Sequence, residues 1–195
     1  MARYGKQHKE ATRRRIVEMA GRRLKADGID GSGVAALMAD AGLTNGAFYA
    51  HFASKEDLVA TAVADQLRWQ REEYSTGPPG RDGVEQMVRE YLSAGHRDSA
   101  EDGCPSAALL AEIGRCGEAT RRAYTEGVLA IADEIAARLA PDDPPSARGQ
   151  TLGLFAMLIG TLQLSRALAD PRLADEVLEQ GIKNALALMD ADERA

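Results

Sequence analysis

The sequence predicts an all-α fold of about nine helices: an N-terminal three-helix helix-turn-helix domain over residues 1–54 and a larger helical domain over residues 55–195. Three observations predict it. Apolar residues recur at three- and four-residue spacing nearly throughout, no stretch alternates as a strand would, and the helical runs are parted by Gly, Pro and Asp clusters that stop helices.

In order along the chain, Ile16, Ala20 and Leu24 share one face of a helix from about residue 12 to residue 27, which Gly28 ends. Ser32 is placed to cap a short helix carrying Val34, Leu37 and Met38, and Gly42 stands where a left-handed residue closes it. Thr44 caps a third helix that ends near Phe52, and Ser54 caps a fourth from residue 55 to about 74. The run STGPPGRDG at 75–83 reads as a loop, because paired prolines between glycines do not continue a helix. Further helices are expected at about 84–97, 105–114, 118–139, 146–168 and 171–190.

Charge divides the chain in two. Residues 1–55 hold ten Lys and Arg against five Asp and Glu, a net +5, which leaves −11 of the total −6 for residues 56–195. A basic head on an acidic body places cations where a polyanion's backbone would lie and nowhere else. The N-terminus has no apolar run of a secretory signal, and the longest apolar stretch, 152–164, falls short of the roughly 20 residues of a membrane span. A cytoplasmic location without a membrane partner is expected. Two cysteines and three histidines, His8, His51 and His96, show no metal-ligand spacing, and no catalytic constellation or cofactor motif is visible. No enzyme, metal or cofactor is therefore expected, although a helical-bundle enzyme is the rival class.

The turn Gly42-Leu43-Thr44 is short enough to present the helix after it, 44–51, to a DNA major groove. Phe48 and Phe52, four apart, would anchor that helix, while Gly46, Ala47 and Ala50 keep its other face thin. Asn45 suits an adenine edge, and Tyr49 a thymine methyl or a phosphate. Plainer readings are a core Tyr49, a solvated His51, and a Lys55 that merely carries charge near a helix start. The basic run Arg3, Lys6, Lys9 and Arg13 to Arg15 reads as a flexible phosphate-touching arm or as a solvated tail.

Residues 12–63 resemble the DNA-binding domain of the tetracycline-repressor (TetR) family. The resemblance rests on Ala41-Gly42-Leu43-Thr44, Gly46, Phe48-Tyr49, His51-Phe52 and Lys55-Glu56 at fixed spacing. It implies a transcriptional regulator, usually a repressor, that binds operator DNA. By the same resemblance Thr44, Tyr49, His51 and Lys55 would hold phosphates, and Asn45, Gly46 and Tyr49 would lie against bases. Ala47 replaces the family's usual Ser or Thr, Met38 a commonly small residue, and Ala35 stands where some members carry a base-reading Arg.

Beyond residue 63 the resemblance is one of architecture. The last two helices are apolar on more than one face, so one side can pack inward and the other against a second copy, with Gly153 and Gly160 permitting close approach. A two-fold dimer predicts a palindromic operator. The helices between would enclose a small-molecule effector. Candidate lining residues are Trp69, Met87, Tyr91 and Leu110, together with Tyr124, Phe155 and Gln163, each of which is also a natural core residue. Gly103-Cys104-Pro105 puts a thiol at a helix start, where free N–H groups and the helix dipole favour an anion. It also resembles a subset of the family that senses oxidants or electrophiles through a cysteine. The alternative function is thus a thiol-responsive repressor using Cys104, and the plain one is a buried, inert Cys104.

Overall fold

Helix α1 spans Ala2–Asp27 and begins ten residues before the apolar pattern does. Residues 2–11 have no core-facing stripe, but they are mostly good helix formers, and extending a helix already nucleated by its buried turns costs little. The basic run is therefore helical and not a loose arm. The computed structural model describes residues 2–190, with side chains from residue 7, so Arg3 and Lys6 lie outside the described side chains.

Gly28 (φ 80°) and Gly42 (φ 68°) adopt the left-handed backbone expected at the ends of α1 and of α2 (Val34–Asp40). Ser32 does not cap α2. Its hydroxyl donates to the Gly28 carbonyl at 2.7 Å, and Gly33 takes the cap position. After the turn, residues Asn45–Ala50 form a 3-10 helix, not the expected α-helix. Six residues including Gly46 gain too little from α-helical hydrogen bonds, and the i+3 bonds Ala47 N–H to Thr44 O and His51 N–H to Phe48 O tighten both ends. Thr44 occupies the cap position without a side-chain cap bond.

Helix α3 (Lys55–Thr76) starts at a reciprocal cap. The Ser54 hydroxyl accepts the Asp57 N–H at 3.1 Å, and the Asp57 carboxylate accepts the Ala53 N–H at 3.0 Å. The expected loop shrinks to residues 77–79, because α3 continues to Thr76 and α4 (Gly80–Tyr91) begins at Gly80. The single helix expected at 84–97 is broken at Leu92 and Ser93, where the Ser93 hydroxyl caps a short α5 (Ala94–Asp98). Helices α6 (Pro105–Ile113), α7 (Glu118–Leu139), α8 (Arg148–Ala167) and α9 (Pro171–Asp190) lie close to their expected spans. Among the described residues there is no strand, and no helix is long and apolar enough to cross a membrane.

The core runs through both parts without interruption. In the head Ile16, Leu24, Leu37, Met38, Phe48 and Phe52 are buried, and in the body Val88, Ile131, Ile135, Leu154, Leu158 and Leu162. Helix α3 joins the two: near its start Thr61 accepts from Arg13 of α1 at 3.4 Å, and further on Leu67 packs so tightly on Gly127 of α7 that a Cβ there would meet it at 2.5 Å. Helix α8 pairs with α9. On its outer side Leu152, Ala156, Gly160 and Leu164, each four apart, form an exposed stripe of apolar and small residues.

Candidate nucleic-acid interface and ligand cavity

The 3-10 segment stands on two phenylalanines. Phe48 and Phe52 are buried with ring centroids 5.8 Å apart, and each such ring removed from water stabilises the head by roughly 1.5–3 kcal/mol. Their neighbours face outward. Thr44, Asn45, Gly46 and Ala50 are exposed, Ala47 is half-buried, and Tyr49 is 78% exposed, so Tyr49 is no core residue. A large aromatic left in water beside an anchored helix end is a group available to a partner.

Two cations around this segment, Arg13 and Lys55, are held by contacts of their own. The Arg13 guanidinium lies 4.6 Å over the Phe52 ring. His51 is half-buried with Nδ1 unpartnered, and burial, followed by the charges of Lys9 and Arg13, holds its pKa below the ordinary value. Those two cations thus lie beside the end of the exposed segment, a placement the linear sequence does not reveal. Lys55 is occupied: its ammonium donates to the Ile29 carbonyl at 2.6 Å and braces the loop between α1 and α2.

That loop also touches the body. The Glu112 carboxylate, near the end of α6, accepts the N–H groups of Ile29 at 2.7 Å and Asp30 at 3.0 Å. At the other end of α6, Lys25 of α1 donates to the Gly103 carbonyl at 2.8 Å. Lys25 is almost wholly buried, and burial lowers its pKa to about 8.

A cavity of about 420 Å³ opens between α3, α4, α5 and the start of α6. Of the seven candidate lining residues, Trp69, Met87 and Tyr91 line it, and four do not. Phe155 is packed in the core and Leu110 faces outward, Tyr124 donates to Ser106 at 3.0 Å, and Gln163 donates to the Ala107 carbonyl at 3.4 Å. Cavity residues that the sequence reading passed over include Gln70, Glu73, Tyr74, Glu90 and His96. Gln70 carried a signal, since it falls three residues after Leu67 and four before Tyr74, on the apolar side of its helix.

Cys104 lies in the cavity wall, buried, at the cap position of α6. Its backbone N–H donates to His96 Nε2 at 3.0 Å, while His96 Nδ1 is 2.7 Å from the Tyr91 carbonyl. An imidazole that donates from Nδ1 and accepts at Nε2 is neutral, and burial lowers the pKa of His96 accordingly. The Tyr91 hydroxyl lies beside the Cys104 thiol. Cys116 is half-buried, and burial, then Asp30, Glu56 and Glu112, raises its pKa. Among the described residues no group of three or more His, Cys, Asp and Glu is placed to hold a metal ion.

Residues 16–62 match the family model of bacterial regulatory proteins, tetR family. Sequence comparison with curated proteins gives no match. Among solved structures the chain is similar to reduced NemR of E. coli, with a TM-score of 0.75 at 19% identity over 90% of this chain and 95% of that one. It is also similar to a TetR-family transcriptional regulator from Agrobacterium tumefaciens (TM-score 0.72, 17% identity, 90% and 98% covered). A TetR transcriptional regulator from Chloroflexus aurantiacus gives a TM-score of 0.71 at 21% identity, with 95% and 97% covered. At such identities these likenesses speak for the fold.

Proposed function

We propose that the chain is a transcriptional regulator of the TetR family, whose model its residues 16–62 match, and that it is a cytoplasmic repressor, released from a palindromic operator by a small molecule bound in its body. The exposed Asn45–Ala50 segment on its phenylalanine footing carries this reading. Thr44, Tyr49, His51 and Lys55 would meet phosphates, and Asn45, Gly46, Ala47 and Tyr49 would approach base edges. For Lys55 this requires that its ammonium exchange the Ile29 carbonyl for a phosphate oxygen.

Two heads would be held at operator spacing by a homodimer built from α8 and α9. Supporting this, Leu152 and Leu164 are exposed on the same stripe as Gly160, where no atom lies within 4 Å of an added Cβ. An apolar stripe with a gap at its centre suits close packing of its own copy across a two-fold axis.

Release would be a population shift: an effector that binds one body conformation more tightly favours it at the expense of the DNA-bound one. Helix α6 is placed to carry the change, since its first turn borders the cavity and its last turn holds the Ile29 loop through Glu112. Selection of bound fragments from the host genome, followed by titration with the Tyr49→Phe variant, tests the reading. Sequence-dependent retention weakened by that change is expected, and no retention of any duplex sinks it.

A second reading uses Cys104. Its thiol lines the cavity at the start of α6, and Lys25 binds the adjacent Gly103 carbonyl, so modification of the sulfur would disturb an α1–α6 contact directly. If Cys104→Ser protein is still released from DNA by peroxide and by alkylating electrophiles, the thiol is not the switch.

A further inference from the structure

The cavity is unevenly charged and incompletely satisfied. Glu73 of α3 and Glu90 of α4 both line it, and neither makes a salt bridge among the described residues. Glu90 accepts only from Gln86, at 2.7 Å, whereas Asp102, the other carboxylate of the wall, is paired with Arg22 at 2.9 Å. Burial, and then the charge of Glu90, raises the pKa of Glu73, which places the two carboxylates in one another's field. The charge of Lys25 opposes this shift but is the smallest of the three causes, and Lys25 does not line the cavity; its ammonium is held on the Gly103 carbonyl.

Deeper in, two polar side chains are incompletely partnered. Gln70 is 5% exposed and its Oε1 makes no hydrogen bond, and Tyr91, 4% exposed, has only the Cys104 thiol, a weak partner, beside its hydroxyl. Gln70 Nε2 already donates to the Tyr74 hydroxyl at 2.6 Å. Turning the amide over would exchange which of its atoms is unmet and would still leave one. Buried polar atoms are nearly always partnered, so this pair marks the place of a polar group that belongs to a ligand. Trp69, 47% exposed in the same wall, offers an aromatic face, and indole is the strongest aromatic partner for a cation.

We infer that the effector is a small organic cation, an amine or quaternary ammonium on a flat apolar body, with its charge at Glu73 and Glu90 and its body against Trp69. A hydrogen-bonding group on that body would reach Gln70 and Tyr91. A cavity of about 420 Å³ suits such a molecule. An anion would be repelled by both carboxylates, and a neutral apolar ligand would leave them and Gln70 unused. This inference rests on the effector-released reading above and names the chemical class of that site's ligand.

One fluorophore on three tails tests it: dansylcadaverine (cationic), dansylamide (neutral) and dansylglycine (anionic). Trp69 is the chain's single tryptophan, so dansyl emission excited through tryptophan reports occupancy beside it. Dansylcadaverine is expected to bind about tenfold or more tighter than dansylglycine, and tighter than dansylamide. The Glu73→Gln, Glu90→Gln double variant should lose most of that preference while keeping its helical circular dichroism, since both side chains are exposed. Equal or tighter binding of the anionic or neutral dye, a preference that survives in the double variant, or no sensitised emission from any dye overturns the inference. Retention of a duplex selected from a random library, measured on the same preparation, separates the two failures. With DNA retained and the charge preference absent, only the ligand class falls; with no duplex retained, the regulatory reading falls whatever the dyes do.

Discussion

The Glu112 carboxylate of α6 reaches across to the Ile29 backbone and accepts its N–H at 2.7 Å, with the Asp30 N–H on the same oxygen at 3.0 Å. One body side chain thus holds the loop that sets α2 against α1. Replacement Glu112→Ala should lower stability by about 1.5–3 kcal/mol, the range for hydrogen bonds to a charged group. Hydrogen exchange at the Ile29 and Asp30 amides should quicken more than in the rest of the head. If α6 relays the effector's signal, the variant should also keep ligand binding while losing ligand-driven release from DNA. Full release in Glu112→Ala would place the relay elsewhere.

Lys55 serves the loop in the free protein and a phosphate in the proposed complex. Lys55→Ala is expected to reduce the slope of log affinity against log salt by about 0.9, the value for one lost phosphate contact. Titrations at four or five salt concentrations decide it. An unchanged slope with reduced stability would leave Lys55 as a brace alone.

His51 is kept neutral by burial and by the nearby charges of Lys9 and Arg13. DNA phosphates at this surface would offset those cations and raise the histidine's pKa, so the complex would bind a proton that the free protein lacks. Operator affinity should therefore rise as pH falls from 7.5 to 6, by about two- to fivefold for one partly linked proton. His51→Gln should flatten the profile. Affinity that falls on acidification in the wild type, or a profile unchanged in the variant, contradicts a phosphate contact at His51.

Gly160 is exposed on α8 with open space where a Cβ would stand. In a monomer Gly160→Arg is harmless, and helix propensity even favours it. In the proposed dimer it buries a charge against its own copy. Sedimentation should show wild-type dimer and variant monomer, with operator affinity reduced at least about a hundredfold through loss of the second head. A variant that sediments like the wild type sinks this interface.

Most of the helical order was legible because each helix carries its own signals. The φ 80° and 68° glycines at 28 and 42, the Ser54 cap and the Pro105 start are local events in which a residue and its immediate neighbours settle the backbone. Where the reading failed, a competing interaction lay outside the local window. Ser32 turned back to the Gly28 carbonyl when it could have capped α2, and Ser93 broke one expected helix into two by capping His96. The cavity was only half legible for the same reason. Trp69, Met87 and Tyr91 are legible as lining from the sequence, but nothing local singles out Glu73, Glu90 and His96, which reach the cavity because α3, α4 and α5 come together.

By itself the chain of residues determined the helical class, the basic head with its exposed and anchored faces, and the likeness of residues 16–62 to a known family model, because periodicity, caps and fixed motif spacing are properties of short stretches. Tertiary structure alone decided that Glu112 grips the Ile29 loop, that Lys25 binds the Gly103 carbonyl, and that Gln70 and Tyr91 line one cavity. Those relationships join residues tens of positions apart, and their energies depend on distance and burial in the packed chain, which no local pattern encodes.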